Sequence, residues 1–455
     1  MARNQELKVA ILTQLLPGSA GGIEVNLLSL LKALDSLDDS GRQVVIGPGG
    51  ESHWLDPHLG IRQSILQWPA IKLSPVRPPN WLPSALVGMA KRSLGRYGLR
   101  IAAGIQPLLR RIDPGHISEG EKITRELIER GVQLVHFPYQ RYFPTSLPTI
   151  FEPWDLQHRH YPEFFTSLEI DLRDEHYQMA CKEATLVVTA SEWTKRDLIQ
   201  QFGLEPKKIA VIRRGPSVVE ERRMTEQEIT YHIQSLKLPK RFILYPAKTW
   251  PHKNHIRLFR ALAELRDRFG ILVPLVCTGK PVEGSWPRIM RSLEELSLER
   301  AVHFTGYLTD DQMAALFKRA EFLVFPTLFE GLGIPLLEAM QFGLPIVASK
   351  VTCLPEVAED AALYFDPLSV DSIAEAILKA WQNPDLRKEY RTRGRVQIKK
   401  FNWDNAGRKF LLCYRHSIGY KLTGEESEIF NAMTGSTVDT NSVMDSEVNC
   451  GVRLS

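Results

Sequence analysis

The sequence predicts an α/β protein built on parallel sheets, and three observations carry that prediction. Residues 322–325 (FLVF) are an apolar run of strand length, ended by Pro326. A loop with Glu330, Gly331 and Gly333 follows, Pro335 suits the first position of a helix, Gly343 ends that helix, and residues 345–348 form the next buried strand. Strand, glycine loop, helix, strand is the unit of a parallel sheet. A second copy of the pattern stands near the start. Residues 8–13 (KVAILT) lead through Gly18, Gly21 and Gly22 into a helical stripe of Ile23, Leu27, Leu30, Leu31 and Leu34. The third observation is the length, 455 residues, enough for two or three domains.

The remaining strands are read in the same way, at 134–137, 149–151, 186–189, 209–212, 242–245, 273–277, 302–304 and 362–364. Residues 44–50 (VVIGPGG) imitate a dinucleotide fingerprint but lack its third glycine and the helix after it. Residues 216–240 are polar and read as a linker. The stretch after residue 422 is rich in Ser, Thr, Asn and Glu without a period, so disorder is expected there.

Bulk charge says little, since 57 basic and 53 acidic residues leave only +4. Its distribution says more. Residues 57–112 contain no acid and nine bases: Arg62, Lys72, Arg77, Lys91, Arg92, Arg96, Arg100, Arg110 and Arg111. With Trp81, Leu82, Leu86 and Val87 among them, this stretch suits an anionic membrane surface or an anionic acceptor; a solvated helical hairpin is the plainer alternative. No run approaches the roughly 18 apolar residues of a membrane span. The five cysteines are scattered, with no zinc-binding spacing, and the polar start MARNQELK has no signal-peptide character.

The chemistry is expected at the glycine loop. The N–H groups of Gly331, Leu332, Gly333 and Ile334 open a helix, with its positive dipole end behind them, which suits a diphosphate. Glu330 in the loop and Glu338 one turn into the helix flank it; a carboxylate suits a vicinal diol of a ribose or hexose. On composition alone, Glu330 could equally be a cap and Glu338 a solvated helix residue. Lys248 and Lys253, in the loop after the strand at 242–245, could neutralise a diphosphate.

The stretch FEGLGIPLLEAMQFGLPIVAS, with LPEV and the Phe-Asp-Pro at 365–367, resembles the retaining glycosyltransferases of the GT-B type, family 4 (group 1), and within them a mannosyltransferase-like subgroup. The resemblance covers roughly residues 5–420. It implies two Rossmann-like domains facing across a cleft: 1–215 for the acceptor, joined by a returning helix at 401–420, and 216–400 for the nucleotide-sugar donor, with 421–455 a disordered tail. It implies Glu330 facing the donor hexose, Glu338 on the ribose, and Lys248 and Lys253 on the diphosphate. Gly306, Tyr307 and Leu308 would receive the base, and Gly21 and Gly22 would face donor phosphate and acceptor.

Three departures from the family pattern stand out. The histidine usual after the strand at 149–151 is Trp154 here, the usual Asn-Gly after 209–212 is Arg214-Gly215, and Lys248 stands where an arginine is usual. In the polar cluster 154–165, DLQH-x-HYPEFF, His158 is the substitute expected in the site. The expected catalytic residues are therefore Glu330, His158 and Lys253.

The expected function is retaining transfer of a hexose, mannose above all, from a GDP- or UDP-sugar to a hydroxyl of a glycan or lipid-linked acceptor, in polysaccharide or lipopolysaccharide synthesis. No metal and no cofactor beyond the sugar nucleotide is expected, nor a nucleic-acid partner. The expected location is cytoplasmic, with the basic segment offering a peripheral hold on an anionic membrane. A nucleotide-sugar epimerase and a non-catalytic membrane-surface protein are the rival readings. A GT-B phosphorylase would need a pyridoxal-lysine motif, which is not seen.

Overall fold

A computed structural model describes residues 6–13, 15, 22–37, 41–48, 52–68, 119–216 and 224–435. Gly18, Gly21 and most of the basic segment, from residue 69 on, lie outside the described residues.

Two parallel sheets organise the chain. The first runs through β1 (Lys8–Leu12), β2 (Arg42–Pro48), β3 (Gln63–Trp68), β4 (Leu134–Phe137), β5 (Thr149–Phe151), β6 (Leu186–Thr189) and β7 (Ile209–Val211). Its spatial order is β3-β2-β1-β4-β5-β6-β7, with every pairing parallel. The second contains β8 (Ile243–Pro246), β9 (Leu275–Thr278), β10 (Val302–Phe304), β11 (Leu323–Phe325), β12 (Ile346–Ser349) and β13 (Ala362–Phe365), ordered β10-β9-β8-β11-β12-β13. Each order reverses once, between β1 and β4 in the first sheet and between β8 and β11 in the second. That is the doubly wound arrangement, and it opens a crevice at the carboxyl ends of the strands on either side of the reversal. The architecture is the expected GT-B pair of Rossmann-like domains.

The strands are short apolar runs because both faces of each sheet are covered by helices. One side of the first sheet packs Leu127, Phe137, Phe151 and Leu198; the other packs Leu31, Ile150, Val188, Phe410 and Tyr414. Phe410 and Tyr414 come from the helix Trp403–Ser417, which returns from the second domain and lies against the helix Gly22–Asp35. The second core gathers Phe242, Leu258, Phe259, Phe325, Leu336 and Ile377.

Three stretches differ from the sequence-based expectation. The strand β3 was not expected, because its alternation is shallow: only Leu66 of QSILQW is buried. The linker contains the helix Glu226–Ser235, closed by a Thr225–Glu228 capping box and packed on the second core through Ile229 and Ile233. The tail begins with the helix Gly424–Thr434, not with disorder. A Thr423–Glu426 capping box starts it, Phe430 and Met433 bury against the first domain, and the buried Lys195 ammonium donates to the Thr434 carbonyl at 2.9 Å. Two apolar anchors among eleven residues give too weak a period to be seen in the sequence.

Candidate active site

The two loops flanking the second sheet's reversal carry the charged groups. The β8 loop reaches a short turn at Pro251–Lys253, and the β11 loop holds Glu330. Backbone and side-chain bonds tie the loops together. Leu328 N–H donates to the His252 carbonyl at 2.7 Å, and the buried Asn254 amide donates to the carbonyls of Pro326 (3.0 Å) and Pro367 (2.8 Å). Asn254 adopts a left-handed φ of 61°, which an asparagine tolerates, and so turns the chain into the helix His255–Phe269. The result is a direct ion pair between Lys253 Nζ and the Glu330 carboxylate, both largely shielded from solvent. Burial and the neighbouring Lys253 charge push His255 down to about 3, so this histidine is a neutral part of the core.

Gly331 to Ile334 enter the helix Ile334–Gln341 as the loop chemistry requires. Gly333 has φ 75° and stands at the N-cap, and Pro335 lies in the first turn. The amides that open this helix have no intrahelical acceptors. Glu338 is half-buried one turn further on. Lys248 lies at the mouth of the β8 loop, where burial and the nearby Lys280 lower its pKa while Glu24 of the first domain opposes them. Gly306 (φ 71°), Tyr307 and Leu308 follow β10; Tyr307 is 73% exposed, with Lys280 Nζ 5.5 Å from its ring centroid.

The first domain closes on this face. Gly22, at the start of its first described helix, abuts Ile334: a Cβ there would lie 3.0 Å from Ile334 Cδ1. Ser191 Oγ and Thr194 Oγ1 donate to the Gly331 carbonyl at 3.1 and 3.4 Å. Glu356 accepts from the N–H groups of Glu192 and Trp193 at 2.9 and 3.0 Å, capping a first-domain helix with a second-domain carboxylate. The sequence reading assigns no role to Glu356. Its position in LPEV, after a strand, was the available signal.

Comparison with known proteins bears on the family and the fold. Residues 227–397 match the family described as glycosyl transferases group 1. That segment carries the likeness to the group 1 glycosyl transferases. It is 28% identical over 257 residues to O-antigen chain mannosyltransferase B of Escherichia coli, covering 56% of this chain and 66% of that one. It is 38% identical over 184 residues to the serotype-specific mannosyltransferase WbdA of Escherichia coli, covering 38% of this chain and 22% of that one. The chain thus spans less than two thirds of the length of either relative. A glycosyltransferase from Rickettsia africae superposes with TM-score 0.64 at 15% identity, over 92% of this chain and 100% of that one. Anabaena Alr3699/HepE in complex with UDP and glucose gives 0.63 at 18% identity, over 89% and 98%. At such identities the structural likeness is one of fold, and that fold is GT-B.

Of the expected site residues, His158 is fully buried. Its Nε2 meets the Asp174 carboxylate at 2.8 Å, its ring packs on Tyr177 and Phe165, and burial lowers its pKa. The reason is helical phase: His158 lies in the short helix Gln157–His160, and that turn directs it into the first domain. His160, two residues on, bonds Asp197 at 2.8 Å and packs on Phe329 of the second domain.

Proposed function

We propose that this chain is a retaining glycosyltransferase that moves a hexose, mannose, from a nucleoside-diphosphate sugar to a hydroxyl of a glycan or lipid-linked acceptor. The observation that carries the reading is the convergence of Lys253, Glu330 and the Gly331–Ile334 amides at the second sheet's reversal, opposite a closing first domain. A diphosphate needs cations and N–H donors; a sugar needs carboxylates. The similarity to an O-antigen chain mannosyltransferase and to a serotype-specific mannosyltransferase supports mannose and a glycan acceptor.

In the proposed reaction the bond from the anomeric carbon to the diphosphate oxygen breaks, and the acceptor oxygen attacks from the same face. The departing phosphate oxygen takes the acceptor's proton, so configuration is retained and nucleoside diphosphate leaves. Lys253, Lys248 and the loop amides stabilise the charge that develops on it. These cationic side chains supply the neutralisation a metal would otherwise provide. Glu330 holds Lys253 in place and faces the hexose; Glu338 holds the ribose.

Among the described residues no helix is long and apolar enough to cross a membrane. The basic segment supports a peripheral position on an anionic cytoplasmic membrane face.

The test is incubation with GDP-mannose or UDP-glucose and candidate glycan acceptors, with and without EDTA, reading nucleoside diphosphate release and the anomeric proton by NMR. Retained configuration in EDTA supports the proposal. An inverted product, or absence of donor cleavage with every donor and acceptor, overturns it.

A further inference from the structure

The loop after β5 brings a third carboxyl to this cleft. Trp154 has φ 67°, a left-handed conformation unfavourable for a bulky side chain, which persists only where its surroundings impose it. They do so here. The indole Nε1 donates to the Pro138 carbonyl at 2.8 Å, and the Arg214 guanidinium stands 4.9 Å from the indole centroid. Arg214 is itself pinned. It is ion-paired to Glu152, and its Nη1 approaches Asn26 Oδ1 at 3.4 Å. The other Glu152 oxygen meets His136 Nε2 at 2.8 Å, and His136 Nδ1 meets the Tyr414 hydroxyl at 2.9 Å. All of these partners are buried. Two of the departures from the family pattern, Trp154 and Arg214, are therefore in contact, as parts of one network reaching the returning helix.

The network turns the indole into the first domain and pushes the backbone outward. The Trp154 carbonyl oxygen lies 2.5 Å, and Asp155 Cβ 3.3 Å, from where a Cβ on Gly331 would stand. Asp155 is then held by the Gln157 N–H, which donates to its Oδ1 at 3.1 Å. Its carboxyl lies within the fields of Glu330, Lys253 and Arg173. Burial, reinforced by Glu330, pushes it up to about 6, so it can both donate to and accept from a hydroxyl.

We propose that Asp155 is the first domain's contact to the transferred hexose, a specificity-determining residue opposite Glu330, and that Trp154 and Arg214 are the positioning pair that fixes it there. This rests on the function proposed above. A hexose bracketed by Asp155 and Glu330 is gripped by both domains, so recognition of the sugar requires the closed cleft.

The experiment is calorimetry of the full chain with GDP, UDP, GDP-mannose and UDP-glucose, together with turnover, for Asp155→Ala, Asp155→Asn, Trp154→Phe, Trp154→Ala and the double variant Glu152→Gln/Arg214→Met. The double variant leaves no buried charge alone. Asp155→Ala is expected to weaken the sugar nucleotide about tenfold or more while leaving free nucleoside diphosphate within about twofold, the loss of one sugar hydrogen bond. Trp154→Phe should restore the kcat that Trp154→Ala loses, with nucleoside diphosphate binding constant throughout. The double variant should lose kcat as Trp154→Ala does. An unchanged ratio of sugar-nucleotide to nucleoside-diphosphate affinity in both Asp155 variants overturns this inference and leaves the proposed function standing. A wild-type chain that binds no sugar nucleotide overturns both.

Discussion

Ser191 of the first domain donates its hydroxyl proton to the carbonyl of Gly331 in the second, at 3.1 Å and out of contact with solvent. The donor loop is thereby fastened to the opposite domain at its glycine. The glycine is required there: a methyl on Gly331 would meet the Trp154 carbonyl oxygen at 2.5 Å. Gly331→Ala should force the domains apart locally. A displacement of about 1 Å at a reacting centre costs about 10²-fold, so kcat/KM should fall by that order. Free nucleoside diphosphate, which the proposed site holds on the second domain, should bind nearly as before, and calorimetry beside steady-state kinetics checks both.

In the proposed reaction Lys253 carries the charge on which departure of the diphosphate depends. Lys253→Ala should lower turnover about 10²-fold or more, the scale for losing one electrostatic stabiliser. It should also destabilise the fold by about 1–3 kcal/mol, because Glu330 loses its partner in a shielded position. The double variant Lys253→Ala/Glu330→Gln should recover the stability and not the turnover. Urea melts and initial rates on the two proteins separate these effects.

Glu338 faces the ribose in the proposed complex. Glu338→Ala should weaken both the donor and the free nucleoside diphosphate by about 1–3 kcal/mol. Equal affinity of variant and wild type in calorimetry would move the ribose elsewhere.

Asp155 lends the protein a pH signature. Its carboxyl is pushed from an ordinary 3.8 up to about 6 in the fold, by burial first and Glu330 second. Between these values the folded chain binds the extra proton, so stability contributed at low pH falls as pH rises through that window. Two units correspond to on the order of 3 kcal/mol, an upper figure for a group near a cleft. Asp155→Asn should therefore melt above wild type at pH 8, with the gap closing below about pH 4. Calorimetric melts across that range measure it.

The nine bases of residues 57–112 stand against a net −5 for the remainder of the chain, since the whole is +4 and this segment +9. Each base near an anionic surface contributes about 1 kcal/mol, screened within about 10 Å at ordinary salt. Flotation with phosphatidylserine vesicles should show binding at low salt that 0.5 M NaCl, roughly, abolishes by shortening the screening length. Neutralising Lys91, Arg92, Arg96 and Arg100 together should remove it. Binding that is absent at low salt, or indifferent to the four changes, would leave a transferase without membrane affinity.

Local order in the sequence was enough for much of the molecule. Buried parallel strands are short unbroken apolar runs, so β4, β5, β6 and β10 were legible to the residue. The turn chemistry of Gly331, Gly333 and Pro335 is equally local, and it placed the helix start and its two flanking glutamates. Direction across space was not local. His158 and His160 are two residues apart, and only the turn they share decides that one enters the core and the other meets Phe329. Glu356 on Glu192, Ser191 on Gly331, and Arg214 on Trp154 join residues 60 to 164 positions apart. Such pairs exist because the two sheets place their strand ends face to face and the returning helix completes the first domain's core. Composition and periodicity fix which residues are buried along an element, and the packing of one domain on the other decides which of them meet.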